Sequence, residues 1–540
     1  MTDRQIRPLI DIDDSAAALI SKADMLLEQA RWAAQIFQRY DRGSTLAIAE
    51  AVARVAHGKA AEFAERTVAE TGFGVAAHKR LKNELSSLPL VEHYRGHDFV
   101  NPAVNEAQKI VSIPRPAGVI FALAPSTNPI ATVYFKILSA LMTRNAIIVS
   151  PHPAAAETSL EAIRCLAGAA EAAGAPPAAI QGVAEPSLPL IEQFMRSEKT
   201  DVILATGGSA MVRAAYASSN PAIGVGPGNA PVFVDASADL TAAARHIVES
   251  KSFDNSVLCT NESVLITLPQ AEAGLLREMK KAGAHLCSEA ETAALRRLLF
   301  HERGFNVETL GRDASWIAGQ AGIKVPPKTK ILVTPITLIG RNEPLSREKL
   351  CPVLSLYLAR STAQALTQAR QLLRFGGAGH SAAIHSRDQQ TVLDYAAAVE
   401  VYRVAVNAPC SQGAAGFATH LPPSFTIGTG FYGRSSIGEN IGPQHLVSWT
   451  RIAWNRNSNE VLDLQALTRL HHPGPLPEAP SDGVPGKTGA EDRAPTDTPS
   501  LGAPNHRDNS RRDDSLREEI RRIVAEELRA ALQSRPHGRA

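Results

Sequence analysis

The chain has 540 residues, more than one ordinary hydrophobic core contains, so two or three domains are expected. Apolar residues make up 44% of it and charged residues 20%, which is typical of a soluble folded protein and excludes a mostly disordered one. The net charge of +2 argues against nucleic-acid binding, and no apolar run reaches the roughly 18 residues of a membrane span. Five scattered cysteines without CxxC spacing, and acidic residues near the N-terminus, predict a cytoplasmic protein with no disulfide framework, no metal site and no secretory signal.

Helical periodicity dominates the first hundred residues, where apolar positions recur at spacings of three and four over 14–39, 44–71 and 76–88. From about residue 108, short apolar runs alternate with helical stretches, which is typical of βαβ units around a parallel sheet. The predicted strands of this first sheet are GVIFALA (118–124), NAIIVS (145–150), AIQGVAE (179–185), DVILATGG (201–208) and APVFVDAS (230–237).

Turn-forming residues occur where three of these strands end, as PSTNP at 125–129, SPHP at 150–153 and TGGS at 206–209. Ligands of open parallel sheets bind outside the carboxyl ends of the strands, so we expect a ligand there. The GxGxxG fingerprint is absent after the first strand, and GVGPG at 224–228 does not open a helix. The pattern therefore predicts a nucleotide-binding sheet without identifying the nucleotide.

A second α/β set begins after residue 235 and predicts a second domain. Cys259 precedes its first strand, ESVLITL (262–268), in a loop of turn-forming residues. A lone cysteine is commonly a small buried apolar residue, but a thiol at a loop-to-strand junction between two domains can face a cleft. From residue 406 the chain is rich in glycine and serine, as expected of long loops that cover such a cleft.

The composition changes sharply beyond residue 470. Residues 471–510 contain eight prolines and almost no large apolar residue, which predicts a disordered linker. SLREEIRRIVAEELRAALQ follows, with a capping-box pair, Ser515 and Glu518, and one apolar stripe. A helix this short is marginal in water, so its stripe is expected to bind a partner, with self-association as a small coiled coil as the alternative.

Eight segments between residues 108 and 455 resemble, in the same order, the CoA-acylating branch of the aldehyde dehydrogenase superfamily. They are APSTNP (124–129), TRNAIIVSPHP (143–153), ATGGSAMV (205–212), AIGVGPGNAPV (222–232), KSFDNSVLC (251–259), EKLCPVLSLY (348–357), GGAGHS (376–381) and FTIGTG (425–430). The resemblance implies a Rossmann-like NAD domain, an α/β catalytic domain that carries the cysteine, and a protruding strand element that forms dimers or tetramers.

The expected architecture is therefore α/β and aldehyde dehydrogenase-like, in five parts. These are N-terminal helices with the NAD-binding domain (1–234), the catalytic domain (235–436), a return segment with the oligomerisation element (437–470), the disordered linker (471–511) and an amphipathic helix (512–540).

The family's chemistry suits Cys259. A thiolate attacks an aldehyde, hydride passes to the nicotinamide, and CoA then takes the acyl group from the thioester. The resemblance implies that the cysteine's backbone N–H and an asparagine amide stabilise the oxyanion. Ungapped alignment favours Thr127 for the second group, whereas amide chemistry favours Asn128, whose alternative role is to cap the helix that begins at Pro129.

The resemblance also implies cofactor ligands. Glu348 matches the glutamate that binds the nicotinamide ribose, and Gly207 and Gly208 match a pair near the cofactor phosphates, with Gly226 also on this side. NAD is the expected cofactor, with NADP as an alternative, and CoA is the co-substrate.

Near the expected adenine ribose of the cofactor, the sequence differs from that of the hydrolytic relatives. Ser150 stands where they place a lysine on the adenine ribose, so His152 or backbone groups are expected to replace it. His380 lies beside a glycine loop and has two interpretations, binding of CoA or aldehyde and a structural role.

A second departure concerns the acyl acceptor. Hydrolytic aldehyde dehydrogenases activate water with a glutamate in an ELGGK-type stretch. Aligned on Pro231, that glutamate falls on Val225, and valine cannot act as a general base. The predicted product is therefore acyl-CoA rather than the free acid.

The tail resembles the encapsulation peptides of bacterial microcompartment cargo enzymes. This resemblance implies that shell proteins bind residues 512–540, that the protein lies inside a microcompartment, and that the substrate is a short-chain aldehyde, propionaldehyde or acetaldehyde. Two alternatives are a hydrolytic NAD(P)-dependent aldehyde dehydrogenase and a non-catalytic compartment scaffold whose functional part is the tail.

Overall fold

The computed structural model describes residues 16–301 and 304–457. The described part begins with five helices: α1 (Ala16–Phe37), α2 (Arg42–Gly58), α3 (Ala60–Thr71), α4 (Ala76–Leu85) and α5 (Leu88–Tyr94). The helical stretch predicted over 44–71 is two helices, because Lys59 leaves helical geometry (φ −95°, ψ 1°) between α2 and α3.

Two strands and a βαβ series follow the helices. In chain order they are β1 (Ala103–Asn105), β2 (Ile110–Pro116), β3 (Val119–Leu123), α6 (Pro129–Met142), β4 (Ala146–Ser150), α7 (Ala156–Ala172), β5 (Ile180–Gly182), α8 (Leu188–Arg196), β6 (Val202–Thr206), α9 (Ser209–Ala217) and β7 (Ala222–Val225). The first sheet contains five of these strands, all parallel, in the order β5-β4-β3-β6-β7. These pairings confirm the predicted parallel sheet of βαβ units, and its binding of a nucleotide remains a prediction.

All fourteen residues of α6 are buried between the helical layer and the first sheet. Its one charged residue, Lys136, donates to the carbonyl oxygens of Leu123 (2.7 Å) and Leu204 (2.8 Å). A buried ammonium needs such partners, because an unpaired charge in an apolar core is costly. Lys136 thereby ties α6 to β3 and β6 beside the carboxyl edge of the sheet.

The second set comprises β8 (Ala230–Val234), α10 (Leu240–Ser252), β9 (Glu262–Thr267), α11 (Pro269–Ala282), β10 (Ala284–Leu286), α12 (Glu289–Leu299), β11 (Phe300–His301), β12 (Gly304–Phe305), α13 (Ala314–Gln320), β13 (Ile331–Ile336), β14 (Val353–Leu358), α14 (Thr362–Phe375), β15 (Ala382–His385), α15 (Gln389–Ala398), β16 (Val404–Val406), α16 (Cys410–Ala414) and β17 (Val447–Ala453). Seven of the strands form a parallel sheet in the order β10-β13-β14-β9-β8-β15-β16.

One strand assignment from the sequence is wrong. The run APVFVDAS was expected to complete the first sheet, but β8 pairs with β9 and β15 in the second. An apolar run identifies a strand without specifying its neighbours, and pairing is decided by contacts that are distant in sequence. The chain therefore crosses between the sheets over residues 226–229, directly after β7.

A three-stranded antiparallel sheet, β1-β2-β17, is built from distant parts of the chain, with Val447–Ala453 in register with residues 110–116. The oligomerisation role expected for the return segment remains a prediction. The linker (471–511) and the tail helix (512–540) lie outside the described residues. Within the described ranges, we find no helix whose length and apolar character would suit a membrane crossing.

Candidate active site

The carboxyl ends of β3, β4, β6 and β7 open into one cavity of about 1280 Å³. Its opposite side is formed by the second set of elements and by Ser424, Phe425 and Ile427 of the glycine- and serine-rich stretch that follows α16. The volume exceeds the roughly 300–1,000 Å³ of a typical small-molecule site, so a dinucleotide and a second substrate can share it. All nine site residues predicted from the sequence line this cavity: Thr127, Asn128, Ser150, His152, Gly207, Gly208, Gly226, Cys259 and Glu348.

Cys259 is presented by a loop with unusual backbone geometry. Asp254, Asn255 and Ser256 have positive φ values of 49°, 50° and 67°, a conformation that non-glycine residues adopt only when their surroundings impose it. The surroundings are visible here. Asn255 Nδ2 donates to the Gly311 carbonyl at 2.9 Å, and the carboxylate of Asp254 accepts the Val75 N–H at 2.6 Å.

Gly228 allows residues 226–229, where the chain crosses between the two sheets, to pass directly over the Cys259 loop. A Cβ at residue 228 would lie 2.1 Å from the Cys259 carbonyl oxygen and 3.3 Å from the ring of His380, so no side chain fits. The Gly228 N–H also donates to Glu348 Oε1 at 3.2 Å. The sequence singled out Gly226, but Gly228 is where the fold requires glycine.

Cys259 as a residue is partly exposed, and it lines the cavity. Burial, reinforced by the negative charge of Glu348, raises the pKa of the thiol to about 12. Its own backbone N–H and the positive charges of Arg403 and Lys82 act in the opposite direction. The thiol is therefore protonated at rest at neutral pH, and the groups that favour its thiolate govern its reactivity.

Glu348 lies on the same side of the cavity. Burial raises the pKa of its carboxyl to about 8, against the lowering effects of the Gly228 N–H, Lys251 and Lys349. At neutral pH the carboxyl is mostly neutral, so it can both donate to and accept from a sugar hydroxyl. This suits the predicted ribose contact.

Asn128 occupies the N-cap position of α6, but among the described residues its side chain makes no capping hydrogen bond. Its Oδ1 accepts from Lys82 Nζ at 2.5 Å, and its Nδ2 contacts Thr127 Oγ1 at 3.3 Å. The capping role considered from the sequence is therefore wrong for the side chain. Its amide nitrogen can donate to a group in the cavity.

Sequence reasoning missed the lysines behind Asn128. The buried face of α4 is polar and contains Lys79, Lys82 and Asn83, at the spacing where an amphipathic helix normally places apolar residues. Both lysines contact the carboxylate of Asp254, which is itself buried; the Lys79 Nζ to Asp254 Oδ2 distance is 3.0 Å. Two lysines and an asparagine in place of apolar residues were the signal available in the sequence.

Two uncharged polar side chains, Ser150 and His152, lie where the sequence predicts the adenine end of the cofactor. Ser150 is buried, and its Oγ has no hydrogen-bond partner within the described ranges, so it can bind a ligand hydroxyl. His152 Nδ1 accepts the Ala154 N–H at 3.1 Å, which leaves the proton on Nε2 as a donor. Burial lowers the pKa of His152 to about 4, so the ring is uncharged.

The predicted phosphate-side glycines leave space rather than fill it. A Cβ at Gly226 would meet no described atom within 4 Å, and one at Gly207 would meet Met211 only at ordinary contact distances from 3.7 Å. Gly208 is the N-cap of α9. These positions and the unpartnered Ser150 Oγ fit a dinucleotide that lies close to the backbone.

His380 is buried behind Gly228, beside the peptide of Cys259. Its Nδ1 contacts Ser381 Oγ at 3.1 Å, and its Nε2 has no partner among the described residues. Burial lowers the pKa of the ring to about 3, so it is a neutral histidine. The two interpretations from the sequence both remain.

A cluster of possible metal ligands is present elsewhere. One atom from each of His285, Cys287 and Glu291 lies within 4.8 Å of the others. Glu291 already accepts the Ser288 N–H at 2.7 Å in a capping box and contacts His285 at 3.3 Å. Helix capping accounts for the position of Glu291 in this group.

Comparison with known proteins agrees with this geometry. The model of the "Aldehyde dehydrogenase family" matches residues 11–420. Over 445 residues the chain is 36% identical to an aldehyde-alcohol dehydrogenase of Clostridium acetobutylicum, covering 81% of the chain and 51% of that protein. The chain thus spans about half the length of this and several other curated relatives.

Two solved structures extend the comparison. An acetylating aldehyde dehydrogenase from Geobacillus thermoglucosidasius is 34% identical, with a TM-score of 0.81 over 84% of this chain and 100% of that one. A propionaldehyde dehydrogenase from a fucose-utilisation bacterial microcompartment of Clostridium phytofermentans is 28% identical, with a TM-score of 0.73 over 80% and 97%. The two parallel sheets, the Cys259 loop between them and these matches lead to one conclusion: the chain belongs to the aldehyde dehydrogenase family.

Proposed function

We propose that this protein is a CoA-acylating, NAD-dependent dehydrogenase of short-chain aldehydes, propionaldehyde or acetaldehyde, with acyl-CoA as product. The observation that carries the proposal is that Cys259 and Val225 line the same cavity. The nucleophile is present, and the position aligned with the water-activating glutamate is apolar. The similarity to an acetylating aldehyde dehydrogenase over that protein's whole length supports the proposal.

The reaction begins when the Cys259 thiol loses its proton and its sulfur attacks the aldehyde carbon. The Cys259 N–H and the Asn128 amide stabilise the resulting oxyanion, which then collapses to a thioester. NAD, when bound, would supply the hydride acceptor for this oxidation, and Glu348, Ser150, His152 and the glycines would hold it. The CoA thiol loses its proton and its sulfur attacks the acyl carbon, the bond to Cys259 sulfur breaks, and the released Cys259 thiolate takes up a proton, so each turnover releases one proton overall.

The acyl acceptor depends on which group can activate water. Val225 is buried and cannot take a proton. Glu348 favours the alternative, hydrolytic function, because it is the carboxyl group that could activate water. It is close enough to Cys259 to affect the pKa of the thiol, and its own pKa is raised to about 8. Its bond to the Gly228 N–H favours a binding role instead.

CoA dependence separates the two functions. NADH formation from propionaldehyde is measured with and without CoA, and the product is identified as propionyl-CoA or propionate. We expect turnover to require CoA, with at most one equivalent of NADH per Cys259 in its absence. Steady CoA-independent formation of propionate would establish the hydrolytic function.

The preference for NAD rests on Glu70. Its two carboxylate oxygens accept the N–H groups of Glu157 and Thr158, each at 2.9 Å, in the first turn of α7. A helix N-terminus is a natural phosphate site, and here a carboxylate already occupies it. His152 is uncharged, so the cations that line this side of the cavity are Arg66 and Arg164, opposed by Glu70, Glu157 and Glu161. This balance disfavours the additional phosphate of NADP.

The kcat/KM ratio for NAD over NADP tests this assignment. Glu70→Gln removes the charge and should lower the ratio several-fold. Glu161→Gln, on the same side of the cavity but away from the helix terminus, serves as the matched control. A wild-type preference for NADP, or equal effects of the two substitutions, would contradict the role of Glu70.

Microcompartment cargo is the proposed setting, with residues 512–540 binding shell proteins and the enzyme assembled as a dimer or tetramer. The sequence of the tail supports it, as does the likeness to a propionaldehyde dehydrogenase from a bacterial microcompartment. Deletion of residues 512–540 should preserve kcat and KM while abolishing co-purification with shell proteins. Unchanged co-purification would refute the targeting role.

A further inference from the structure

The Cys259 loop and the N-terminal helices meet at one buried carboxylate. Asp254 is fully buried, and its Oδ2 contacts the ammonium groups of both Lys79 and Lys82. The chain closes tightly around it at Gly74 (φ +86°), where a Cβ would lie 2.6 Å from Asp254 Oδ1. The position of both lysines is thereby fixed relative to the nucleophile loop.

We propose that Lys82 is a positioning residue for the reaction: its ammonium holds the Asn128 amide so that Nδ2, and not Oδ1, faces the oxyanion formed on Cys259. This inference deepens the proposed function and rests on it. Lys82 donates to Asn128 Oδ1 at 2.5 Å and is 1% exposed, so water does not compete for this bond.

The geometry excludes the opposite orientation of the amide. If the amide were rotated by half a turn, its NH₂ group would face the Lys82 ammonium, and two donors would meet in a buried site without an acceptor. In the observed orientation Nδ2 makes one contact, to Thr127 Oγ1 at 3.3 Å, and its second N–H remains for the cavity. A side chain that could present either a donor or an acceptor is thus restricted to the donor.

Lys79 provides an internal comparison. It shares the same carboxylate oxygen and is 3% exposed, but its other bond goes to the Thr127 carbonyl at 3.3 Å and not to Asn128. Loss of either lysine removes one buried ammonium from Asp254. Loss of Lys82 also removes the hydrogen bond that orients the Asn128 amide. A comparison of substitutions at Lys79 and Lys82 therefore separates the effect on the orientation of Asn128 from the effect of losing a buried lysine.

The charge of Lys82 gives a second readout. Burial lowers its pKa to about 8, while Asp254 and the Cys259 thiol act to raise it and Lys79 acts to lower it. Above this pH a neutral amine can accept as well as donate, so it no longer dictates the orientation of the amide. The other groups that face this site are His78, whose Nδ1 accepts the Asp254 N–H, and Arg403 and Glu348 beside Cys259.

A double-mutant cycle tests the proposal. The rate of thioester formation is measured as single-turnover NADH release with propionaldehyde and without CoA. Asn128→Ala should slow it by about 10²- to 10³-fold, as for other oxyanion donors. Lys82→Met alone should slow it by about 10-fold or more, but by less than about twofold in the Asn128→Ala background, because its effect passes through that amide. Lys79→Met should lower the rate of thioester formation by the same factor in wild type and in Asn128→Ala.

Conservative variants guard against loss of folding. Lys82→Arg keeps a permanent positive charge, so its rate of thioester formation should be close to that of wild type. If the wild-type rate declines near pH 8, the same decline in Lys82→Arg should occur at a higher pH. Glu348 also titrates near pH 8 but is unchanged in this pair, so it cannot produce the difference. Multiplicative effects of Lys82→Met and Asn128→Ala, or full activity of Lys82→Met, would overturn the proposal.

A structural readout does not depend on turnover. In a crystal structure of Lys82→Met we expect the Asn128 side chain to rotate away from its wild-type position. An unchanged Asn128 would overturn the positioning role even if the enzyme were active. Failure of wild type to oxidise any aldehyde would refute the proposed function, and this measurement would still decide whether Lys82 orients the amide.

Discussion

The two sides of the cavity differ in the residues that form them and in how those residues are held in place. The proposed cofactor side is formed by turns at strand ends whose side chains are small or uncharged at Ser150, His152, Gly207, Gly208 and Gly226, with charged residues of α3 and α7 at its edge. The catalytic side, around Cys259, is packed with buried charges whose partners lie far away in sequence. Lys82 and Asp254, for example, are 172 residues apart.

Two further lysines extend this contrast. Lys251 donates to the Lys349 carbonyl at 3.2 Å, and Lys349 donates to the Ser263 carbonyl at 3.1 Å. Buried charges persist only when they are paired or hydrogen-bonded, so each one fixes a backbone segment around the nucleophile. The cofactor side accommodates a ligand by leaving room, whereas the catalytic side controls reactivity by charge.

The largest expected effect separates chemistry from binding. Cys259→Ser should reduce acyl-CoA formation by at least about 10⁴-fold, because a serine hydroxyl is a far weaker nucleophile at neutral pH. NAD binding, measured by fluorescence titration, should change little, since the cofactor side is intact. Cys165→Ser, a partly exposed cysteine on α7, is the matched control and should remain active. Residual activity of Cys259→Ser within tenfold of wild type would contradict the assignment.

A pair of glycines tests the two sides directly. Gly228→Ala forces the backbone of the Cys259 loop to move, because the new Cβ would lie 2.1 Å from the Cys259 carbonyl oxygen. A displacement of about 1 Å in an active site can cost roughly 10²-fold in kcat/KM, and we expect a loss of that order together with a lower Tm.

Gly226→Ala meets no described atom within 4 Å, so Tm should remain near the wild-type value and the change should appear in KM for NAD. If the two variants lost stability and activity equally, the distinction between the two sides would fail.

A base introduced at residue 225 should allow part of the thioester to be hydrolysed by water instead of being transferred to CoA. Val225→Glu places a carboxyl in the cavity, and CoA-independent NADH formation should rise by roughly 10-fold, a fraction of the 10²–10⁴ that a well-placed base provides. Val225→Gln, similar in size and without a base, is the control. Equal rates for the two variants would show that residue 225 does not decide the acyl acceptor.

The smallest effect concerns the charge of Glu348. Its pKa of about 8 means that the carboxyl is neutral below this pH and gains a negative charge as pH rises through it, which opposes the Cys259 thiolate. Alkylation of Cys259 by iodoacetamide should therefore be several-fold faster in Glu348→Gln than in wild type above pH 8, and similar at pH 6–7. Identical profiles across pH 6–10 would remove Glu348 from the control of the thiol.

Much of the fold follows from local pattern. Apolar runs predicted four of the five strands of the first sheet and strand β9 of the second, and the turn residues at strand ends predicted the location of the cavity. The assignment of APVFVDAS to the first sheet was wrong because pairing depends on contacts across the sheet. The predictions for 471–540 lie outside the described residues.

The sequence by itself predicted the family and the position of all nine expected residues, including the proposed nucleophile Cys259, along one cavity, because these depend on short motifs and strand ends. The tertiary structure decided what surrounds the nucleophile: the two lysines on α4, the buried Asp254, the steric requirement for Gly228 and the orientation of Asn128. Those features arise where segments far apart in the chain bury charges against each other, and no local pattern specifies the partner of a buried charge.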